Sequence, residues 1–160
     1  MLPKTLLFLV GVGGLLGLYS CQGQQDSANQ TDYLGIPKTE IQQELDHLVE
    51  LWFPRIVDTV RGGYWTNFEY DWSRSEDQPK MLVTQARGLW TAARLAQACP
   101  DRPELLEAAQ HGFTFLTQEL WIEERGGFIL NWPHEAAEKD YRLTYANAFA
   151  LYALAEYAKI

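Results

Sequence analysis

Arg87 places a permanent charge inside an apolar run, Leu82-Val83-Thr84-Gln85-Ala86-Arg87-Gly88-Leu89-Trp90. A guanidinium there is costly unless it meets a carboxylate or a wet cavity, and its planar fork suits a pair of oxygens. Tyr145 and Asn147 stand at the corresponding start of a second apolar run and carry groups that hydrogen-bond hydroxyls, although Tyr145 could equally pack in a core. Tyr64, Trp65 and Trp132 lie in connecting segments, where an aromatic face either stacks on a ring-shaped ligand or anchors a loop; Asn67 is a further polar candidate.

Other chemistries find less support. His47, His111 and His134 lack metal-ligand spacing with one another and read as solvated or packed side chains, so no metal is expected. Glu69 with Asp71, and Glu123 with Glu124, each share one segment, and neither pair sets an acid opposite a base across a substrate. Lys and Arg total 13 against 21 Asp and Glu, and the formal charge of -8 repels a phosphate backbone, which excludes a nucleic-acid partner.

These residues need elements to hold them. Thr39 and Gln42 have capping-box spacing, and Ile41, Leu45, Leu48, Val49, Trp52, Phe53 and Ile56 then form one apolar stripe on a helix. Met81 to Ala98 is apolar all round and needs neighbours on every side. Pro103 opens a third helix with a single stripe, Leu106, Ala109, Phe113, Leu116 and Leu120, and Tyr145 to Ala155 is again apolar all round. The alternation predicts an all-α protein with outer helices packed on inner ones. Arg61-Gly62-Gly63-Tyr64 and Arg125-Gly126-Gly127-Phe128 leave the two outer helices 64 residues apart, so the connections repeat as well. The segments 62–80 and 126–140 therefore share one rim.

Residues 1–20 read as a signal peptide: Lys4 is the positive start, and Thr5 to Gly17 is apolar but shorter than the ~20 residues a bilayer span requires. Leu18-Tyr19-Ser20-Cys21 resembles a bacterial lipobox, which makes Cys21 the lipidated first residue of the mature protein and anchors it to the cell envelope, with Gln22 favouring the outer membrane. Lipid on Cys21 would leave Cys99 without a disulfide partner in its own chain. Residues 21–38 form a polar tether, and 39–160 the folded part.

The ordered set Arg61 to Trp65, Lys80 to Trp90, Gly126-Gly127-Phe128 and Tyr145 to Tyr157 resembles the N-acylglucosamine 2-epimerase superfamily, which includes cellobiose 2-epimerases and aldose–ketose isomerases. The resemblance implies an (α/α)6 barrel, of which this chain carries the first two helical hairpins, an incomplete toroid: six such repeats need about 380 residues. It also implies a sugar substrate, no cofactor, and removal and return of the proton next to the sugar carbonyl through an enediolate, by histidines of later hairpins. Arg87 matches the family's arginine near the start of the first inner helix, where it would hold the carbonyl or enediolate oxygens. The remaining candidates would contact sugar hydroxyls or ring faces. The chain stops at Tyr157-Ala158-Lys159-Ile160 without a helix-stop residue, and so reads as an N-terminal fragment inactive alone. A glycan-binding lipoprotein without enzymatic activity and a degenerate remnant are the alternatives.

Overall fold

The computed structural model describes residues 34–133 and 143–160. The expected signal peptide, Cys21 and the tether as far as residue 33, and His134 lie outside them. Four helices carry the fold: α1 (Lys38–Ile56), α2 (Leu82–Ala98), α3 (Pro103–Phe115) and α4 (Thr144–Tyr157). Two short strands, β1 (Lys80–Met81) and β2 (Asn131–Trp132), precede α2 and α4, and one π-helical turn, Leu116–Leu120, extends α3.

The cap of α1 differs from the sequence expectation. The helix starts at Lys38 after Pro37 and no side chain caps it; the Pro37 carbonyl accepts from the N–H groups of Glu40 and Ile41 at 3.0 and 3.2 Å, which leaves the Thr39 hydroxyl without that task. Val49, Phe53 and Ile56 are buried, whereas Ile41, Leu45 and Leu48 stay 45%, 44% and 44% exposed, so only the C-terminal half of the stripe is covered. Pro103 occupies the start of α3, where its missing N–H costs nothing. Its buried face is rotated slightly from the expected one: Leu105, Ala108, Ala109, Gly112 and Phe115 face inward, and Leu106 is exposed. The π-helical turn keeps Leu116 and Leu120 buried together.

The two helices that read as apolar all round divide unequally. α2 buries Leu82, Gln85, Ala86, Gly88, Leu89, Ala92, Ala93 and Leu95, as a helix with neighbours on several sides should. α4 packs against it, and the two run in the same direction: Trp90 stacks on Tyr152, and Gln97, farther along α2, donates to Glu156, farther along α4, at 3.0 Å. On α4 only Ala146, Ala150, Ala153 and Glu156 are buried, while Tyr145, Leu151 and Tyr152 are more than half exposed.

The repeat in the sequence is a repeat in the hydrogen bonding. Val57 bridges Tyr64, and Trp121 bridges Phe128. Asp58 N–H donates to Gly63 O at 2.9 Å, and Ile122 N–H to Gly127 O at 3.0 Å. Trp65 N–H reaches Ile56 O, and Ile129 N–H reaches Leu120 O. Each pair is displaced by 64 residues. The turns need positive φ, supplied by Gly62 and Gly63 at +80° and +66° and by Gly126 and Gly127 at +62° and +97°. β1 and β2 then pair antiparallel, Lys80 opposite Trp132 and Met81 opposite Asn131, which brings the two connecting segments to one side as their spacing predicts.

Cys99 is buried at the end of α2 and is disulfide-bonded, which corrects the expectation of a thiol left without a bridge.

Tyr64 is the plug of the core. Its ring passes between α2 and α3 at Gly88 and Gly112, where an added Cβ would collide with ring atoms, and its hydroxyl donates to Ala108 O at 2.7 Å. Glycine to alanine inside a helix ordinarily stabilises by about 1 kcal/mol. At Gly112 the sign should reverse: Gly112→Ala is expected to lose about 1–3 kcal/mol through overpacking, measured as a lower urea midpoint.

Candidate functional site

Arg87 lies in the second turn of α2 and is exposed. It borders a shallow cleft of about 170 Å3 between α2 and α4, lined also by Ala86, Trp90, Thr91, Phe149 and Tyr152. Trp90 and Tyr152 form its aromatic wall, stacked with ring centroids 5.6 Å apart and planes nearly parallel at 12°. Tyr145 meets Phe149 edge-on at 4.9 Å, so it adjoins the same cleft with its ring largely in solvent. Among the described residues Arg87 has no ion pair or side-chain hydrogen bond, and its side chain is exposed at the cleft. The indole N–H of Trp90 is buried with no acceptor among the described residues. The cleft thus offers a positive fork beside aromatic faces, chemistry that fits an oxygen-rich ring with partial negative charge on one oxygen.

The other candidate residues divide differently from the sequence reading. Tyr64 is no rim aromatic: it is 2% exposed, and burial pushes its phenol well above the ordinary tyrosine value. Asn147 is committed to the backbone. Its carbonyl oxygen accepts from Phe128 N–H at 2.9 Å and its amide donates to Phe128 O and Leu143 O, the four-residue reach of a helical side chain being used up locally. Gln85, at the same place in α2, does this for Tyr64, accepting from its N–H at 2.7 Å and donating to its O at 2.9 Å. Asn67 donates to Asp77 O, and Gln78 bridges the main chain at Thr66 and Asn67, so this segment is closed on itself. Trp132 packs edge-on against Phe115 and donates to Glu119 at 3.1 Å. His47 is exposed, and the ring Nε2 of His111 lies 3.1 Å from Asp58 O. Among the described residues no cluster of three His, Cys, Asp or Glu could hold a metal ion.

One polar centre escaped the sequence reading. Lys80 and Asp58, at 2% and 0% exposure, form a 2.7 Å ion pair in the interior. Lys80 also donates to Gly62 O, and its ammonium faces the rings of Phe115, Trp65 and Trp132 at 5.2, 5.5 and 5.9 Å. Trp65 is at the same time covered by the guanidinium groups of Arg61 and Arg74 at 4.8 and 4.7 Å, which makes it a loop anchor. Burial pushes the Asp58 carboxyl upward, but the Lys80 ammonium and the N–H groups of Arg61 and Val60 outweigh it and hold the group below the usual carboxylate range. Burial lowers Lys80, with Asp58 opposing. The one signal in sequence is a lysine immediately before a long apolar helix, which identifies no partner.

The model of the family "N-acylglucosamine 2-epimerase (GlcNAc 2-epimerase)" matches residues 63–160, more than half of the chain. The chain belongs to the N-acylglucosamine 2-epimerase family. Cellobiose 2-epimerase of Dictyoglomus turgidum is 30% identical over 128 residues, 79% of this chain and 32% of that relative. The structure of cellobiose 2-epimerase from Spirochaeta thermophila superposes with a TM-score of 0.62 at 31% identity, covering 76% of this chain and 31% of that one. A D-mannose isomerase at 22% identity shares the fold, with a TM-score of 0.68 over 76% of this chain and 30% of its own. The chain spans about a third of the length of each of these proteins.

Removing one partner of the buried pair leaves a charge without its counterion. Lys80→Met is expected to cost about 3–5 kcal/mol, Arg61→Ala less than about 1 kcal/mol at the half-exposed outer contact, and the double variant Asp58→Leu/Lys80→Met to recover part of the loss. Because the folded Asp58 lies below its unfolded value of 3.8, its contribution is complete above that pH and is lost as pH falls through the folded value; Asp58→Asn should flatten this acid limb in urea titrations.

Proposed function

We propose that the chain is the amino-terminal segment, the first two helical hairpins of an (α/α)6 barrel, of a sugar 2-epimerase or aldose–ketose isomerase. The observation that carries this reading is Arg87: an exposed guanidinium with no counterion among the described residues, on an inner helix, in a cleft walled by Trp90, Phe149 and Tyr152. The reaction removes the proton next to the carbonyl of an open-chain sugar and returns it to the carbon. Negative charge grows on the carbonyl oxygen as that proton leaves, and a fixed guanidinium opposite the oxygen lowers the barrier most where water is excluded. The aromatic wall supplies a face for the sugar's C–H groups, and Tyr145 supplies a hydroxyl. The base and acid belong to parts of the barrel beyond these two hairpins, so this chain by itself binds without turning over.

Export completes the reading: residues 1–20 direct secretion, and Cys21, the chain's one cysteine besides Cys99, has two exclusive fates, partner of Cys99 in a disulfide or carrier of a lipid that would hold the protein at the envelope, most simply the outer membrane. A sulfur in a lipid thioether cannot also form a disulfide, so mass spectrometry of the membrane fraction separates the two fates of Cys21.

To test the activity, residues 34–160 are joined in frame to the corresponding remainder of the Dictyoglomus turgidum enzyme and assayed on cellobiose in D2O. The fusion should epimerise the reducing sugar and incorporate deuterium at its C2, and the 160-residue chain alone should not. Arg87→Lys in the fusion should lower kcat/KM by about 10- to 100-fold with an unchanged Tm, because an ammonium lacks the two-pronged donor geometry. Undiminished turnover would remove Arg87 from the site, and an inactive fusion that folds and binds cellobiose would remove the epimerase reading.

A further inference from the structure

The interior of this chain leaves little polar chemistry unpaired. The buried side chains of Gln85, Asp58, Lys80 and Glu156 and the hydroxyl of Tyr64 all have partners. The indole N–H groups of Trp121 and Trp132 reach the carboxylates of Glu123 and Glu119 at 2.7 and 3.1 Å. Trp90 differs: its Nε1 is out of solvent and is the one buried side-chain polar atom without a partner among the described residues. A buried donor with nothing to donate to is costly, and its retention calls for a reason. Packing supplies none, because stacking on Tyr152 uses the rings and not the N–H. Its place in the fold supplies one. Trp90 lines the cleft that Arg87 borders, three residues farther along α2, on the same helical face and about 4.5 Å along the axis. Tyr152, which stands 62 residues after Trp90 as Asn147 stands 62 after Gln85, brings a second ring with a single polar tip to the same cleft.

We infer that Trp90 is a specificity-determining residue of this site, its indole N–H donating to an uncharged hydroxyl of the sugar on a carbon outside the reacting pair. The inference rests on reading the chain as part of a sugar 2-epimerase or isomerase, and it names a contact that this reading does not require. The N–H has already lost its water, so pairing with a sugar oxygen gives up no hydration on the protein side. An oxygen reaches it as a lining side chain moves aside. The two donors then divide the work. Arg87 faces the oxygen on which charge grows and acts on turnover, whereas a neutral indole holds ground state and transition state alike and acts on KM. A sugar lacking the accepting hydroxyl returns the N–H to its unpaired state, which is how a buried donor rejects a near-identical ligand.

The fusion of residues 34–160 with the remainder of the Dictyoglomus turgidum enzyme is compared with its Trp90→Phe variant by calorimetric titration of cellobiose and by steady-state kinetics. Trp90→Phe should weaken binding about tenfold and lower kcat/KM by the same factor, all of it through KM. Phenylalanine is smaller, so the comparison is repeated with benzothienylalanine at position 90, which keeps both fused rings and puts sulfur in place of N–H: affinity should fall equally, with Tm unchanged. In 15N spectra the indole resonance missing from Trp90→Phe should move downfield and exchange more slowly with D2O when cellobiose is added, while those of Trp121 and Trp132 stay in place. Unchanged affinity in the benzothienylalanine variant, or a Trp90 N–H already protected before sugar is added because another part of the barrel supplies the acceptor, would overturn the inference. An active fusion indifferent to both substitutions removes the inference and keeps the epimerase reading; a fusion that binds cellobiose through Trp90 without turning it over does the reverse, and one that binds no cellobiose removes both.

Discussion

A side-chain amide that pairs with both the N–H and the C=O of one main-chain residue is the contact on which the rest of this structure depends. Gln85 of α2 accepts from Tyr64 N–H and donates to Tyr64 O, both partners being buried. Without it, a backbone donor and acceptor would lie unpaired in the interior, at a cost of about 1–3 kcal/mol each. With it, the chain leaving α1 is docked on α2, the Tyr64 ring enters the slot at Gly88 and Gly112, and the turn at Gly62 and Gly63 must take positive φ. Asn147 repeats the clamp on Phe128, one methylene shorter and with a longer donor contact of 3.4 Å.

The ion pair of Lys80 and Asp58 adds what the clamp cannot. It ties the turn after α1 to β1 and, through the ring of Trp132, to the second connecting segment. The second repeat has no such pair, because Ile122 occupies the place of Asp58. The first connection is therefore held by charge, hydrogen bonds and three aromatic rings, and the described part of the second by main-chain hydrogen bonds, packing and the Asn147 amide. Both lie on the side of the molecule from which α2 and α4 start, and so they set the position of Arg87 and of the cleft it borders.

Much of the architecture was legible. The alternation of one-faced and all-round apolar helices, the first position of α3 at Pro103, and the 64-residue spacing of the Gly-Gly turns all correspond to observed elements. Arg87 was legible as an exceptional position because a charge on an apolar helix has few inexpensive environments. Tyr64, Trp65, Trp132, Asn67 and Asn147 were harder to place, since an aromatic ring or amide after a Gly-Gly turn suits a ligand and a backbone clamp equally well. Asp58 and Lys80 lie 22 residues apart, and no local pattern announces a pair that only the folded chain brings within 2.7 Å.

Periodicity, glycine pairs and the motifs shared with the epimerase family are local features, and from them residue order alone settles the helices, their repeat and the family. Which polar side chains turn inward, and which apolar faces stay open, depends on how helices distant in the chain meet. Leu89 and Leu151 illustrate the division: they are the same residue at the same point of the repeat, one buried and one 65% exposed, because a neighbouring helix covers the first and none of the described residues covers the second.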